Sequence, residues 1–105
     1  MSFSPIYTTL RQAITERRPV IFLYAGYHRE CCPHSIGTKN GKEHVLVFQF
    51  AGGSSQGLPP GGQWRCMDVA AISQIAAMTG PWRTGTSHLR PQTCIDHVDV
   101  DTLTS

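Results

Sequence analysis

Tyr24, Arg29, His34, Gln49, Trp64 and Arg65 lie along a stretch that reads as two strand hairpins, and their types suit binding better than bond making. Arginine presents a planar fork that pairs with phosphate, while tyrosine and tryptophan present faces on which a base stacks. Arg29 and Arg65 are therefore the expected phosphate contacts, with a surface pairing to Glu30, Glu43 or Asp68 as the plainer alternative. Tyr24 alternates with Phe22 and Val20 on one strand face, which places it nearer to the core than to a ligand. Trp64 follows a glycine loop, so it either sits at the rim of the fold or caps its core. Gln49 interrupts an apolar strand, as a polar pocket contact or as a partner for a neighbouring backbone group. Ser54 and Ser55, flanked by Gly52, Gly53 and Gly57, could offer N–H groups and hydroxyls to an anion. That loop lacks the GKS or GKT of a phosphate-binding loop, so a simple hairpin connection is the preferred reading.

Other chemistry is less well supported. Five histidines (His28, His34, His44, His88, His97) and four cysteines (Cys31, Cys32, Cys66, Cys94) form no HExxH, no GxSxG and no nucleophile-and-base signature, so neither a catalytic residue nor a cofactor is expected. The cysteines contain no CxxC pair, the local spacing from which zinc sites are usually built. Reduced thiols serving as small core residues are the expected account of all four. The metal alternative is His28 and Cys32, which share a face if they lie on one regular strand, joined by His34.

Composition bounds these readings. A chain of 105 residues, 40% of them hydrophobic, supports one small core. Nothing approaches the roughly 20 consecutive apolar residues of a membrane span, and MSFSPIY lacks a signal-peptide pattern, so a cytoplasmic protein with no membrane partner is expected. The net charge is +2, and seven of the nine cations are Arg. That bias favours nucleic acid or nucleotide partners, or else reflects ordinary surface usage.

The elements that must position these residues follow from patterning. Ser4 and Pro5 predict a helix start, Ile6, Leu10, Ala13 and Ile14 one apolar face, and Pro19 an end, giving a helix over about 5–18. Val20 to Ala25 predicts a buried strand, with Gly26 turning into a second from His28. Asn40 and Gly41 carry the strongest hairpin signal in the chain, and Glu43 to Ala51 predicts a central strand, apolar on both faces. Gly52 to Gly62 predicts an exposed loop and Trp64 to Val69 a fourth strand. Ala70 to Met78 fits a brief helical turn or a further strand. After Gly80 only Cys94 to Val100 looks like a strand. The predicted fold is mainly β, a small SH3/Sm-like barrel over 1–80 with one N-terminal helix, followed by an extension over 81–105 that contributes at most one added strand.

The runs LRQAI, VIFLYAGYHRECCPHSIGTKNGKEHVLVFQF and WRCMDVAAI, spanning roughly residues 10 to 76, resemble the WYL domain of bacterial regulators, which has an Sm-like fold. Tyr24 and Gly26 resemble that family's strand and turn after the first helix, and Arg29, Pro33 and His34 its R-x-x-x-P segment. Gly41 resembles its hairpin glycine and Arg65 the arginine opening its next strand. The tripeptide that gives the family its name falls at His44, Val45 and Leu46, of which only the leucine is kept. The resemblance implies a free-standing, non-catalytic module of transcription regulation. Such a module would bind single-stranded nucleic acid or a nucleotide-like effector and regulate a protein partner. The competing expectation is an interaction module that forms a homodimer through an exposed strand edge.

Overall fold

The structure is a computed structural model that describes residues 3–53, 62–82 and 94–102. Ser4 caps helix α1 (Pro5–Glu16) by accepting from the Tyr7 N–H at 3.2 Å, with Pro5 in the first turn, where a missing N–H costs nothing. The helix ends two residues before the expected boundary. Arg17 adopts a left-handed conformation (φ 50°), and its N–H and that of Arg18 return to the carbonyls of Ile14 and Ala13. Tyr7, Leu10, Ala13 and Ile14 form the buried face, so Tyr7 joins the stripe that the apolar spacing had assigned to Ile6. No helix of the described residues is long and apolar enough to cross a membrane.

The strands are β1 (Val20–Tyr24), β2 (Tyr27–Lys39), β3 (Lys42–Gly52), β4 (Gln63–Asp68), β5 (Ile72–Ala77) and β6 (His97–Asp101). A 3-10 turn (Val69–Ala71) separates β4 from β5, so the two alternatives for that segment occur one after the other. Two tight turns join β1 to β2 and β2 to β3. Ala25 and Gly26 have φ of 53° and 81°, Asn40 and Gly41 53° and 78°, the paired positive values of a mirror-image hairpin turn. The strand order is β4-β3-β2-β1-β5, antiparallel throughout, with β6 added to β2. The chain is therefore mainly β with one helix. Its sheet does not close into a barrel among the described residues, since β4 and β5 remain separate edges. Across that opening the Asp68 N–H donates to Tyr24 Oη at 3.4 Å.

The long strand β2 holds the architecture together. Its first half pairs with β1 through Cys31 and its second half with β6 from Ser35, while β3 runs along its other side. Pro33 sits in the gap between those two partners, beside a register slip between Pro33 and Ser35, where the ladder loses least from a missing donor. One side of the sheet packs Val20, Phe22, Ile36, Val45, Val47, Met67 and Ile72 with the helix stripe into the main core. The opposite side carries a smaller cluster of Leu46, Cys94 and Ile95, against which Trp64 packs.

Three ties fix the C-terminal strand. It pairs with β2, its Asp99 accepts from Tyr7 Oη at 2.8 Å and Arg11 Nε at 3.0 Å, and Cys94 just before it is disulfide-bonded to Cys66. Burial and the Asp99 carboxylate together hold the Tyr7 hydroxyl well above the ordinary tyrosine range, so it donates at every physiological pH. The disulfide corrects the expectation of four reduced thiols. Cys66, on β4, and Cys94, just before β6, are far apart in sequence but 5.5 Å apart at Cα, inside the span a disulfide requires. Cys31 and Cys32 are buried thiols outside any disulfide, as expected of core cysteines.

Gly37 makes the docking of β6 possible, because a Cβ there would overlap the His97 carbonyl and meet Ile95 Cγ2 at 2.7 Å. Gly37→Ala is expected to lower stability by about 1–3 kcal/mol, the usual cost of overpacking. Urea melts measure this, and an unchanged midpoint would mean that β6 does not lie where the structure places it.

Candidate functional site

Arg29 is the least expected side chain in the fold, an arginine only 5% exposed on the inner face of the sheet. Its Nε donates to the Tyr24 carbonyl at 3.2 Å and its Nη1 reaches Gln49 Oε1 at 3.5 Å. The guanidinium lies 5.1 Å from the Tyr24 ring centroid and 5.8 Å from that of Tyr27, within cation–π range. No carboxylate among the described residues pairs with it. The salt bridges to Glu30, Glu43 or Asp68 are not made by Arg29. Glu43 instead accepts from Ser4, and Asp68 caps the 3-10 turn through the Ala70 N–H. Burial, and then the neighbouring Arg65 charge, hold the Arg29 pKa below its ordinary value.

Gln49 explains how a polar residue survives in the middle of β3. It is fully buried, and its Nε2 donates to the carbonyls of Ala51 and Gly53 at 3.1 Å each, leaving Oε1 towards Arg29. Of the two expected roles, Gln49 fills that of satisfying neighbouring backbone groups. Tyr24 likewise packs against the main core and lines a cleft of ≈ 430 Å³ with Ala25, Arg29, Trp64, Arg65, Cys66 and Met67. That cleft opens where the sheet fails to close, and four of the residues expected at a site, Tyr24, Arg29, Trp64 and Arg65, meet there.

Alternation on β4 divides the rest of the expected set. Arg65 pairs across to Val47 and Trp64 to Phe48, and neighbours on a strand point to opposite faces. Trp64 therefore borders the cleft while its ring packs edge-on against His34 (4.7 Å) and Phe48 (5.3 Å). His34, 1% exposed, lies on that second face, its Nδ1 donating to the Cys32 carbonyl at 2.7 Å and its ring 4.6 Å from Trp82. His34 belongs to an aromatic cluster on the other side of the sheet from Arg29. Ser54 and Ser55 lie outside the described residues.

The metal alternative of His28, Cys32 and His34 is not assembled. His28 is exposed near the β1–β2 turn while Cys32 and His34 are buried farther along β2, and the ligand atoms of the three do not cluster. The one cluster of metal-ligand type among the described residues is His44, Cys66 and Cys94. Its cysteines come from segments with no local pairing motif, which is why spacing did not reveal it. The Cys31 thiol is pushed far up by burial, so it stays protonated and unreactive. A thiol-specific chromogen is expected to find no thiol in the native oxidised protein and two after denaturation. Fast reaction of a native thiol would contradict the burial of Cys31 and Cys32.

Comparison of the chain with protein-family models, with curated proteins and with solved structures gives no match.

Proposed function

We propose that this chain is a non-catalytic sensing module that binds an anionic, base-containing ligand, single-stranded nucleic acid or a nucleotide-like effector, in the cleft of Arg29 and Arg65. The observation that carries the reading is a pair of arginines converging on one cleft, one of them buried without a carboxylate partner. A buried cation set beside a like charge is costly, and a phosphate between the two forks would offset that cost with charge-assisted hydrogen bonds. Tyr24 supplies a face beside them against which a base could stack, at about 1–3 kcal/mol. The order β4-β3-β2-β1-β5, with a 3-10 turn before β5 and a helix before β1, supports a half-open barrel of the SH3/Sm type and the resemblance to WYL domains.

Titrating the protein with short single-stranded oligonucleotides, with Trp64 and Trp82 as fluorescence reporters, tests the proposal. Saturable quenching that weakens as salt rises is the expected result. No response at low salt would overturn it. The edge strands β4 and β5, each paired on one side only among the described residues, favour a second reading, a module that pairs strand to strand with another copy or a regulated protein. A mass that stays monomeric at high concentration would remove the homodimer form of that reading.

A further inference from the structure

We propose that His44, Cys66 and Cys94 form a redox-gated site for a thiophilic divalent metal such as Zn²⁺, closed by the disulfide and opened by its reduction. The ligand atoms of the three residues lie within 4.8 Å of one another. They come from three segments held independently. His44 is on β3, Cys66 is on β4 opposite Leu46, and Cys94 leads into β6. His44 and Leu46 are two apart on one strand, so His44 and Cys66 are diagonal neighbours on the same face. The imidazole Nδ1 is 3.8 Å from Cys66 Sγ and donates to the Cys94 carbonyl at 3.1 Å, which seats the ring beside the sulfur pair.

Two thiolates and an imidazole are the donor set that selects Zn²⁺ over hard cations, and their charge balances a divalent ion. Zn–S bonds of about 2.3 Å place two sulfurs of a tetrahedral site roughly 3.8 Å apart, so the sulfurs must separate. Cys66 is free to make that move, because it is exposed and lies on an edge strand. The cluster opens onto a cleft of ≈ 680 Å³ that Lys39, Lys42 and Asp68 also line. That space admits water as a fourth ligand.

The gating step is thiol–disulfide exchange with a dithiol reductant. One reductant thiolate attacks the exposed Cys66 sulfur, and Cys94 leaves as a thiolate, which takes up a proton. The second reductant thiol then displaces Cys66 and the reductant departs as its own disulfide. Two electrons and two protons have passed to the protein. Metal binding releases two thiol protons, and coordination at Nδ1 moves the proton now donated to the Cys94 carbonyl to Nε2 as the neutral imidazole changes tautomer.

Co²⁺ serves as the probe, since its bonds to thiolate give a charge-transfer absorption in the near ultraviolet. The protein is reduced with dithiothreitol, desalted under inert gas and titrated. One equivalent with the thiolate band is expected for the reduced protein and no band for the oxidised protein. His44→Gln, which leaves the cysteines in place, is expected to weaken binding about tenfold or more. Cys31→Ser with Cys32→Ser should retain the band. A reduced wild-type protein without the band overturns the proposal. So does a band that depends on Cys31 and Cys32, or one that survives Cys66→Ser with Cys94→Ser.

Discussion

Replacing Arg29 and Arg65 together by alanine is expected to weaken oligonucleotide binding by on the order of a hundredfold or more. A charge-assisted hydrogen bond contributes about 1.5–3 kcal/mol, and the pair supplies at least two, while each 1.4 kcal/mol is a factor of ten. The salt dependence must change with it. For a single strand each neutralised phosphate contributes roughly 0.7 to the slope of log affinity against log salt, so removing two cations lowers the slope by about 1.4. Stability should move little in the same variant. Arg29→Ala surrenders the bond to the Tyr24 carbonyl but also removes a buried charge set against Arg65. Unchanged affinity, or weakened affinity with an unchanged salt slope, would show that the cleft is not where the anion binds. A linked result follows in the wild-type protein, where an anion at a hundred times its Kd should raise stability by about 2.7 kcal/mol and that of the double variant by about 0.4 kcal/mol or less.

The way Arg29 reaches this position shows what the sequence makes legible and what it hides. Local signals were sufficient for the scaffold. Ser4 with Pro5, the alternating run from Val20, and Asn40 with Gly41 each specify their element through a backbone rule that acts over a few residues. The planar fork of arginine singled out Arg29 and Arg65 as candidate phosphate contacts. It did not say that Arg29 points inward, because pairing opposite the core residue Phe22 of β1 decides that, and this is a property of the assembled sheet. The separation of Trp64 from Arg65 was available from β4 itself, since adjacent strand residues cannot share a face. Tyr7 was hidden for another reason. Its ring belongs to the helix stripe, but its burial depends on Asp99, 92 residues away. The disulfide is the extreme case. Nothing local connects Cys66 to Cys94, and only the return of β6 along β2 brings them together.

That long-range link carries the second large effect. Reducing the Cys66–Cys94 disulfide is expected to cost about 3–4 kcal/mol, the chain entropy released when a loop of 28 residues is no longer closed. At about 4–8 °C per kcal/mol for a domain of this size, the Tm should fall by on the order of 15 °C. The loss is concentrated in one place, because the bond ties the C-terminal segment to β4. β6 keeps its pairing with β2, the Asp99 contacts to the helix and the packing of Val100 on the main core. Thermal melts with and without dithiothreitol measure the effect, with thiol counts confirming that all four cysteines are reduced. Superimposable melts of fully reduced and oxidised protein would mean that the bond does not constrain the chain as described. Adding Zn²⁺ to the reduced protein then separates two explanations of why these cysteines are paired. A purely structural disulfide leaves the reduced protein at its lowered Tm whatever the metal concentration. A site that exchanges one cross-link for another recovers stability in proportion to the logarithm of free metal, since metal held between Cys66, Cys94 and His44 closes the same loop that the disulfide closed.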